Sequence, residues 1–292
     1  MLGAIILAGG KSTRMGQDKA FLPFGDYVLI QKVALAVAPF MDQVVIALSK
    51  DQKQPELQKE LHRKTTFSRD AISGIGPLQG ITDAARLLRS EINDVLVITC
   101  DLPYINPEWI EGFLAMRDEK SDVVCAVDGN YTNALLAIYK KPLLFKAEEF
   151  LRQGKTKARQ LLFGLKVKQI PLSFDPNIPS PVEDMDNPSG YRKALGHLGF
   201  FNLQQPEVEI QLIQDKKTLL TLPIGAADLD DALLTMLKII PKLKDYMENN
   251  PAEFMLHINQ NKIETDQIPR LTTADIIQLT LKDKSFDYHG LF

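Results

Sequence analysis

Leu7-Ala8-Gly9-Gly10-Lys11-Ser12-Thr13-Arg14-Met15-Gly16-Gln17-Asp18-Lys19 follows directly on the apolar run that starts at Gly3. Its reading decides the fold. Glycines just past a strand let backbone N–H groups approach a phosphate closely, and Arg14 and Lys19 add positive charge for its oxygens. Gly10-Lys11-Ser12 invites the reading of a P-loop, but that motif places a glycine five positions before Gly10, where Ile5 stands inside the strand. The dinucleotide fingerprint G-x-G-x-x-G is also missing, because Gly9 and Gly10 are adjacent. A plain glycine-rich turn with solvated basic residues is the alternative.

Working outward, Gly3 to Leu7, Gln43 to Leu48, Asp94 to Thr99, Asp122 to Val127 and Ala134 to Tyr139 are apolar runs of strand length. Helical patterns lie between them: Leu78, Ile81, Ala85 and Leu88 share one face, and Pro107 to Met116 places proline in a first turn. This alternation predicts an α/β domain with a Rossmann-like, mostly parallel sheet, whose sites stand at the carboxyl ends of strands. Trp109 is expected to pack its helix on the sheet. A Pro- and Ser-rich stretch from Pro171 to Pro181 interrupts the pattern, and a short helix from about Ser189 to Leu195 closes the domain.

Asp101 ends the apolar run Val95 to Cys100, which is where a ligand to Mg²⁺ should stand; the alternative is an Asp that caps the turn into Leu102-Pro103. Asp184 and Asp186, one residue apart, face the same way in an extended chain and could complete a metal site. Alternatively Asp186 or Asn187 caps the helix entered at Pro188. Asp70 and the segment Gly74-Ile75-Gly76-Pro77-Leu78-Gln79-Gly80 form another helix start.

The loop resembles the signature L-A-G-G-x-S-x-R-M-G-x-D-K of the molybdenum cofactor guanylyltransferases, within the NTP-transferases of sugar-phosphate type. The double glycine resembles the GTP-using branch. The resemblance covers roughly the first two thirds of the chain and implies helices on both faces of the sheet. It implies that Leu7, Ala8, Gly9 and Gly10 line the nucleotide, that Arg14 and Lys19 hold its phosphates, and that Asp70 contacts the guanosine end near the helix begun at Gly76. It further implies attack by a phosphate of molybdopterin on the α-phosphorus of GTP, with Mg²⁺ held by Asp101 and pyrophosphate leaving. Asn133 stands where relatives often have a His-Pro pair. Lys155, Lys157 and Arg159 could meet the acceptor phosphate, or form a solvated face.

Gly196 to Pro206 reads as a linker. Beyond it, strand-like Val208 to Ile213 and Thr218 to Leu222, a helix with Leu229, Leu233, Met236, Leu237 and Ile240 on one face, and strand-like Phe254 to Ile258 and Ile276 to Leu281 predict a small α+β domain. The expected domains are 1–197 and 207–292. The second resembles the β-grasp sulfur carriers, such as the small subunit of molybdopterin synthase. Those carriers end in Gly-Gly, whereas this chain ends Asp287-Tyr288-His289-Gly290-Leu291-Phe292. A docking role toward molybdoenzymes or other cofactor-biosynthesis proteins is expected; the alternative is removal of Leu291 and Phe292 to leave a single terminal Gly.

A formal charge of −3 on 292 residues gives no general attraction to polyanions, and no apolar run approaches membrane-spanning length. Neither a nucleic-acid nor a membrane partner is expected. A cytoplasmic location is expected. Cys100 and Cys125 sit in apolar runs, and His62, His197, His257 and His289 are scattered, so none suggests a metal cluster. Two other functions fit the same residues: a sugar-1-phosphate nucleotidylyltransferase, or a non-catalytic scaffold that binds nucleotide or pterin.

Overall fold

The computed structural model describes all residues except 11, 58, 73, 173–184, 251–252, 264–268, 284–285 and 289–292. Asp184 and the C-terminal His289 to Phe292 thus lie outside the described residues. The first half of the chain runs β1 (Leu2–Leu7), β2 (Pro23–Phe24), β3 (Tyr27–Val28), α1 (Leu29–Val37), β4 (Gln43–Leu48), α2 (Lys59–Lys64) and β5 (Thr65–Arg69). It continues through α3 (Pro77–Ala85), β6 (Asp94–Thr99), α4 (Pro107–Ala115), β7 (Val123–Asp128) and β8 (Tyr131–Lys140). Then come α5 (Lys141–Leu144), α6 (Lys146–Arg152), β9 (Val167–Pro171) and α7 (Pro188–His197). The remainder is β10 (Glu207–Gln214), β11 (Lys217–Gly225), α8 (Leu229–Ile239), α9 (Pro241–Asn249), β12 (Phe254–Ile258), β13 (Asn261–Lys262) and β14 (Ile276–Leu281).

Packing divides the chain into two compact units, one made of Met1–Lys11 and Leu29–Glu183, the other of Ser12–Val28 and Asp184–Phe292. The expected boundary followed chain order; the packing interleaves instead.

In the first unit seven strands take the order β5-β4-β1-β6-β8-β7-β9. The pairs from β5 to β6 are parallel, β8 is antiparallel to both neighbours, and β9 is parallel to β7. Every residue of β1 and β4 is buried, which is why these strands read as continuous apolar runs, as central parallel strands do. The edge strands β5 and β9 carry polar residues such as Thr66, Arg69, Lys168 and Gln169, and so escaped the hydrophobic pattern. On one face Leu78, Ile81, Ala84 and Ala85 of α3 pack over Ile5, Val45, Val95 and Val97.

On α4, Asn106 accepts a hydrogen bond from the Trp109 amide at 2.8 Å, with Pro107 opening the first turn. Trp109 is fully buried, stacks on Phe113 at 4.9 Å, and donates its indole N–H to Leu172 O at 3.3 Å.

In the second unit five strands take the order β11-β10-β14-β12-β13, with β10 and β14 parallel at the centre and the other pairs antiparallel. Asp228 caps α8, which buries Leu229, Ala232, Met236 and Ile239. Where one helix was expected there are two, because Ile240 leaves the helical region and Pro241 starts a new first turn. The segment expected to be a linker is tied down. Arg192 donates to Leu203 O at 3.3 Å and Gln205 O at 3.2 Å, and its guanidinium lies 5.5 Å from the Phe201 ring centroid. The hairpin β2–β3 turns at Gly25, whose amide donates to Ile239 O at 3.0 Å, and Tyr191 donates its hydroxyl to Pro23 O at 2.7 Å.

Trp109→Ala should cost about 3–5 kcal/mol, the usual range for emptying a buried aromatic site. Urea unfolding checks this, and a loss under about 1 kcal/mol would contradict the packing described.

Candidate active site

Hydrogen bonds at the ends of the parallel strands bring four short segments of the first unit together. Ala8 N–H donates to Ala47 O at 2.9 Å, Cys100 N–H to Leu7 O at 2.9 Å, and Asp70 N–H to Leu48 O at 3.0 Å. Leu7 to Gly10, Ser49, Asp70 and Asp101 therefore share the carboxyl edge of the sheet, where ligands of open α/β sheets bind. Two side chains the sequence reading missed hold the glycine turn in place. Ser49 Oγ accepts from Gly10 N–H at 3.2 Å, and Gln52 donates to Ala8 O at 3.0 Å while accepting from Ser49 N–H at 2.9 Å. Ser49 had one legible signal: it directly follows a strand.

The glycines have distinct tasks. A Cβ at Gly9 would lie 3.1 Å from Ser49 Oγ, 3.3 Å from Ser49 N and 3.6 Å from Asp70 Oδ2, whereas one at Gly10 would meet nothing within 4 Å. Gly9 thus permits a close approach, and Gly10 keeps the opposite side open. Gly76, before the first turn of α3, has φ of +109° and would carry a Cβ 3.1 Å from Thr156 O. It is required on both counts. Thr156 belongs to the segment of Lys155, Lys157 and Arg159, three exposed residues, so this basic cluster borders the start of α3. Lys155 also stacks over the Phe150 ring at 5.5 Å.

Asp70 sits at the end of β5 beside Gly80, where a Cβ would come within 3.4 Å of its Oδ1. Burial, and then the charge of Asp83, raise its carboxyl to about 6. Asp83 is itself held by Ala71 N–H at 2.9 Å and Gln79 Nε2 at 2.7 Å.

In the second unit, Met15 and Gly16 turn back on Ser12 O at 3.0 and 3.1 Å, and Ser12 Oγ accepts from Lys19 N–H at 3.2 Å. Asp18 caps the single turn Lys19–Phe21 through Ala20 N–H. Arg14 is exposed, while Lys19 is mostly covered and its Nζ meets Asp186 Oδ1 at 2.5 Å. Of the two readings for 186–187, helix capping belongs to Asn187, which accepts from Gly190 N–H at 2.9 Å. Asp186 carries an ion pair instead.

Asn133 accepts from Leu135 N–H at 3.0 Å, at the irregular step where the β7–β8 register jumps from Cys125↔Ala137 to Ala126↔Asn133. Cys100 and Cys125 are buried and neither is in a disulfide, and burial pushes Cys125 up to about 12, far from thiolate chemistry. His62, His197 and His257 fall on α2, α7 and β12, and among the described residues no three His, Cys, Asp or Glu cluster to hold a metal alone. Among them, too, no helix is long and apolar enough to cross a membrane.

Against this geometry stand the comparisons with known proteins. A family model described as the MobA-like NTP transferase domain matches residues 4–169, more than half of the chain. The chain belongs to this family. A probable molybdenum cofactor guanylyltransferase of Peptoclostridium acidaminophilum is 35% identical over 173 residues, which covers 57% of this chain and 75% of that relative. Its counterpart from Carboxydothermus hydrogenoformans is 32% identical over 197 residues, covering 66% and 95%. The solved structure of molybdopterin-guanine dinucleotide biosynthesis protein A from Archaeoglobus fulgidus matches with a TM-score of 0.52 at 23% identity, over 68% of this chain and 100% of that one. That likeness shows the NTP-transferase fold.

A carboxyl whose folded pKa lies above its unfolded value favours folding when protonated. The contribution of Asp70 is therefore full below about pH 4 and is lost as the pH climbs through about 6. Asp70→Asn removes this titration. Denaturant unfolding at pH 4 and pH 7 should show the variant gaining stability relative to the natural chain as pH rises, and a pH-independent difference would refute the raised pKa.

Proposed function

We propose that this nucleotidyltransferase moves GMP from GTP to the phosphate of molybdopterin, with or without bound molybdenum, releasing pyrophosphate in molybdenum cofactor biosynthesis. One observation carries the reading: the loop of the signature leaves β1 at the same sheet edge as Asp70 and Asp101, with Cys100 N–H bonded to Leu7 O at 2.9 Å. The relatives' names agree with it.

In this reading Leu7, Ala8, Gly9 and Gly10 lie along the nucleotide and leave it backbone rather than side-chain surface. An ionised Asp70 accepts from guanine, whose Watson–Crick edge carries an N–H and an amino group side by side, a donor pair that adenine and cytosine lack. Gly76 lets the start of α3 come close, and the helix N-terminus favours negative charge nearby. Arg14 and Lys19 hold the triphosphate. Lys19 has three N–H donors, so it can serve phosphate oxygens while keeping Asp186.

A divalent cation goes with nucleotidyl transfer in this family, and we assign it as Mg²⁺. Asp101, half-buried one residue past the Cys100 bond to Leu7, is a hard oxygen donor at the loop's base and fits a cation that takes one or two carboxylates beside phosphate oxygens. Asp186 is a further candidate ligand, with one oxygen already on Lys19, as is Asp184. When bound, the ion neutralises charge on the transferring phosphoryl group. The acceptor phosphate is anionic at neutral pH, so no residue is needed as a general base; the chain's task is to hold the acceptor oxygen, phosphorus and leaving group in line. The strand order of the second unit, with its first and last strands parallel at the centre, supports the β-grasp-like reading and a docking role toward cofactor-using or cofactor-making proteins.

Pyrophosphate release is the test, using each of the four NTPs with Mg²⁺ and molybdopterin, and sugar 1-phosphates as parallel acceptors. Turnover only with GTP and the pterin supports the proposal. Turnover with a sugar phosphate replaces it, and nucleotide binding without turnover makes the chain a scaffold. Lys19→Ala and Asp101→Ala should each lower turnover roughly a hundredfold or more while the folded state survives. A rate within twofold of the natural chain would remove the assigned role.

A further inference from the structure

β11 is an edge strand, so one side of it presents backbone groups that β10 does not use. Thr221 stands opposite Gln211 in the β10–β11 register. Its amide donates to Gln17 Oε1 at 3.0 Å, and its carbonyl accepts from Gln17 Nε2 at 2.7 Å. A single carboxamide thus takes both the donor and the acceptor of one edge residue, as an added strand would, and it does so across 204 positions of sequence. Gln17 occupies the variable position of R-M-G-x-D-K, so the signature does not require it.

The grip falls on the segment that carries the cationic groups. Gly16, with φ of +72°, makes the turn just before Gln17, and Asp18 caps the turn just after it. Lys19 then bonds to Ser12 through its amide and to Asp186 through its ammonium. The other end of the stretch is held as well, by Gly25 N–H on Ile239 O and by Tyr191 on Pro23 O. Besides Gln17, the portion from Thr13 to Gln17 is held by the bonds of Met15 and Gly16 to Ser12 O and by the burial of Met15.

We propose that Gln17 is a positioning residue: it ties the phosphate-gripping segment Arg14 to Lys19 to the edge of the C-terminal sheet, so that order in the sheet sets order in the grip. The part that concerns nucleotide rests on the function proposed above; the clamp itself does not. The same link lets anything that displaces β11 loosen the hold on the nucleotide.

Gln17→Ala removes both hydrogen bonds, and Gln17→Glu keeps the acceptor for Thr221 N–H while setting a carboxylate against Thr221 O. Hydrogen exchange of the ligand-free full chain, read on peptides covering 12–19 and on the Thr221 amide, is the first measurement. Two ordinary hydrogen bonds correspond to about a tenfold change, so exchange should rise about tenfold in Gln17→Ala and less in Gln17→Glu. Peptides from β1 and β6 should exchange at the natural rate, which separates loss of the clamp from loss of the fold. Unchanged exchange over 12–19 overturns the proposal. In the pyrophosphate assay the KM for the nucleotide should rise about tenfold with kcat nearly kept, the pattern of a lost ground-state grip. Faster exchange with an unaltered KM overturns the link to binding. If the natural chain binds none of the four NTPs, the proposed function falls, and the exchange result still decides the clamp.

Discussion

Between Ser49 and Asp70 there is room for a hydrogen at Gly9 but little for a methyl group, since a Cβ would press on Ser49 Oγ at 3.1 Å. That oxygen is the acceptor for Gly10 N–H, and Ser49 is in turn held by Gln52, which also supports Ala8. The course of the chain out of β1 depends on this contact. Because β1 is buried along its whole length between β4 and β6, it has no freedom to shift and relieve crowding at its end. Rigid strands below and a side-chain-free turn above make a surface on which backbone can meet a nucleotide closely.

The thirteen-residue signature is continuous in sequence and divided in packing. Residues up to Lys11 belong with the parallel sheet, and Ser12 to Val28 belong with the C-terminal sheet and α7. The family model stops at residue 169, and Asp186, Tyr191, Thr221 and Ile239, which hold the stretch from Gln17 to Gly25, lie beyond it. Ordinary means suffice for it: a carboxamide on a strand edge, a hydroxyl on a carbonyl, a glycine amide on the last turn of a helix.

Buried strands were the most legible part of the fold. Gln43–Leu48 and Asp94–Thr99 are apolar on both faces, and Phe254–Ile258 and Ile276–Leu281 are apolar enough to stand out, so the boundaries read from the sequence match those observed. The edge strands of the seven-stranded sheet did not stand out, because Thr65 to Arg69 and Val167 to Pro171 bury few side chains. The break at Ile240 had a legible signal in Pro241, because the residue before a proline is biased away from the helical region. The tethering of Gly196 to Pro206 was hidden, because it rests on carbonyls that Arg192 reaches, which composition does not encode.

Residue types and short-range order were enough to establish the kind of chemistry. A glycine turn after an apolar strand, cations within the next ten residues and a carboxylate closing another strand are properties of local sequence, set by sterics and charge. Which groups stand together was settled by tertiary structure, because strand pairing joins residues far apart in the chain. Ser49 and Gln52 come under the loop only when β4 lies beside β1, and Asp70 reaches it only when β5 lies beside β4. The raised pKa of Asp70, the ion pair of Lys19 with Asp186 and the hold of Gln17 on Thr221 arise the same way. Each depends on burial or distance between separated segments, and those quantities do not exist until the chain is folded.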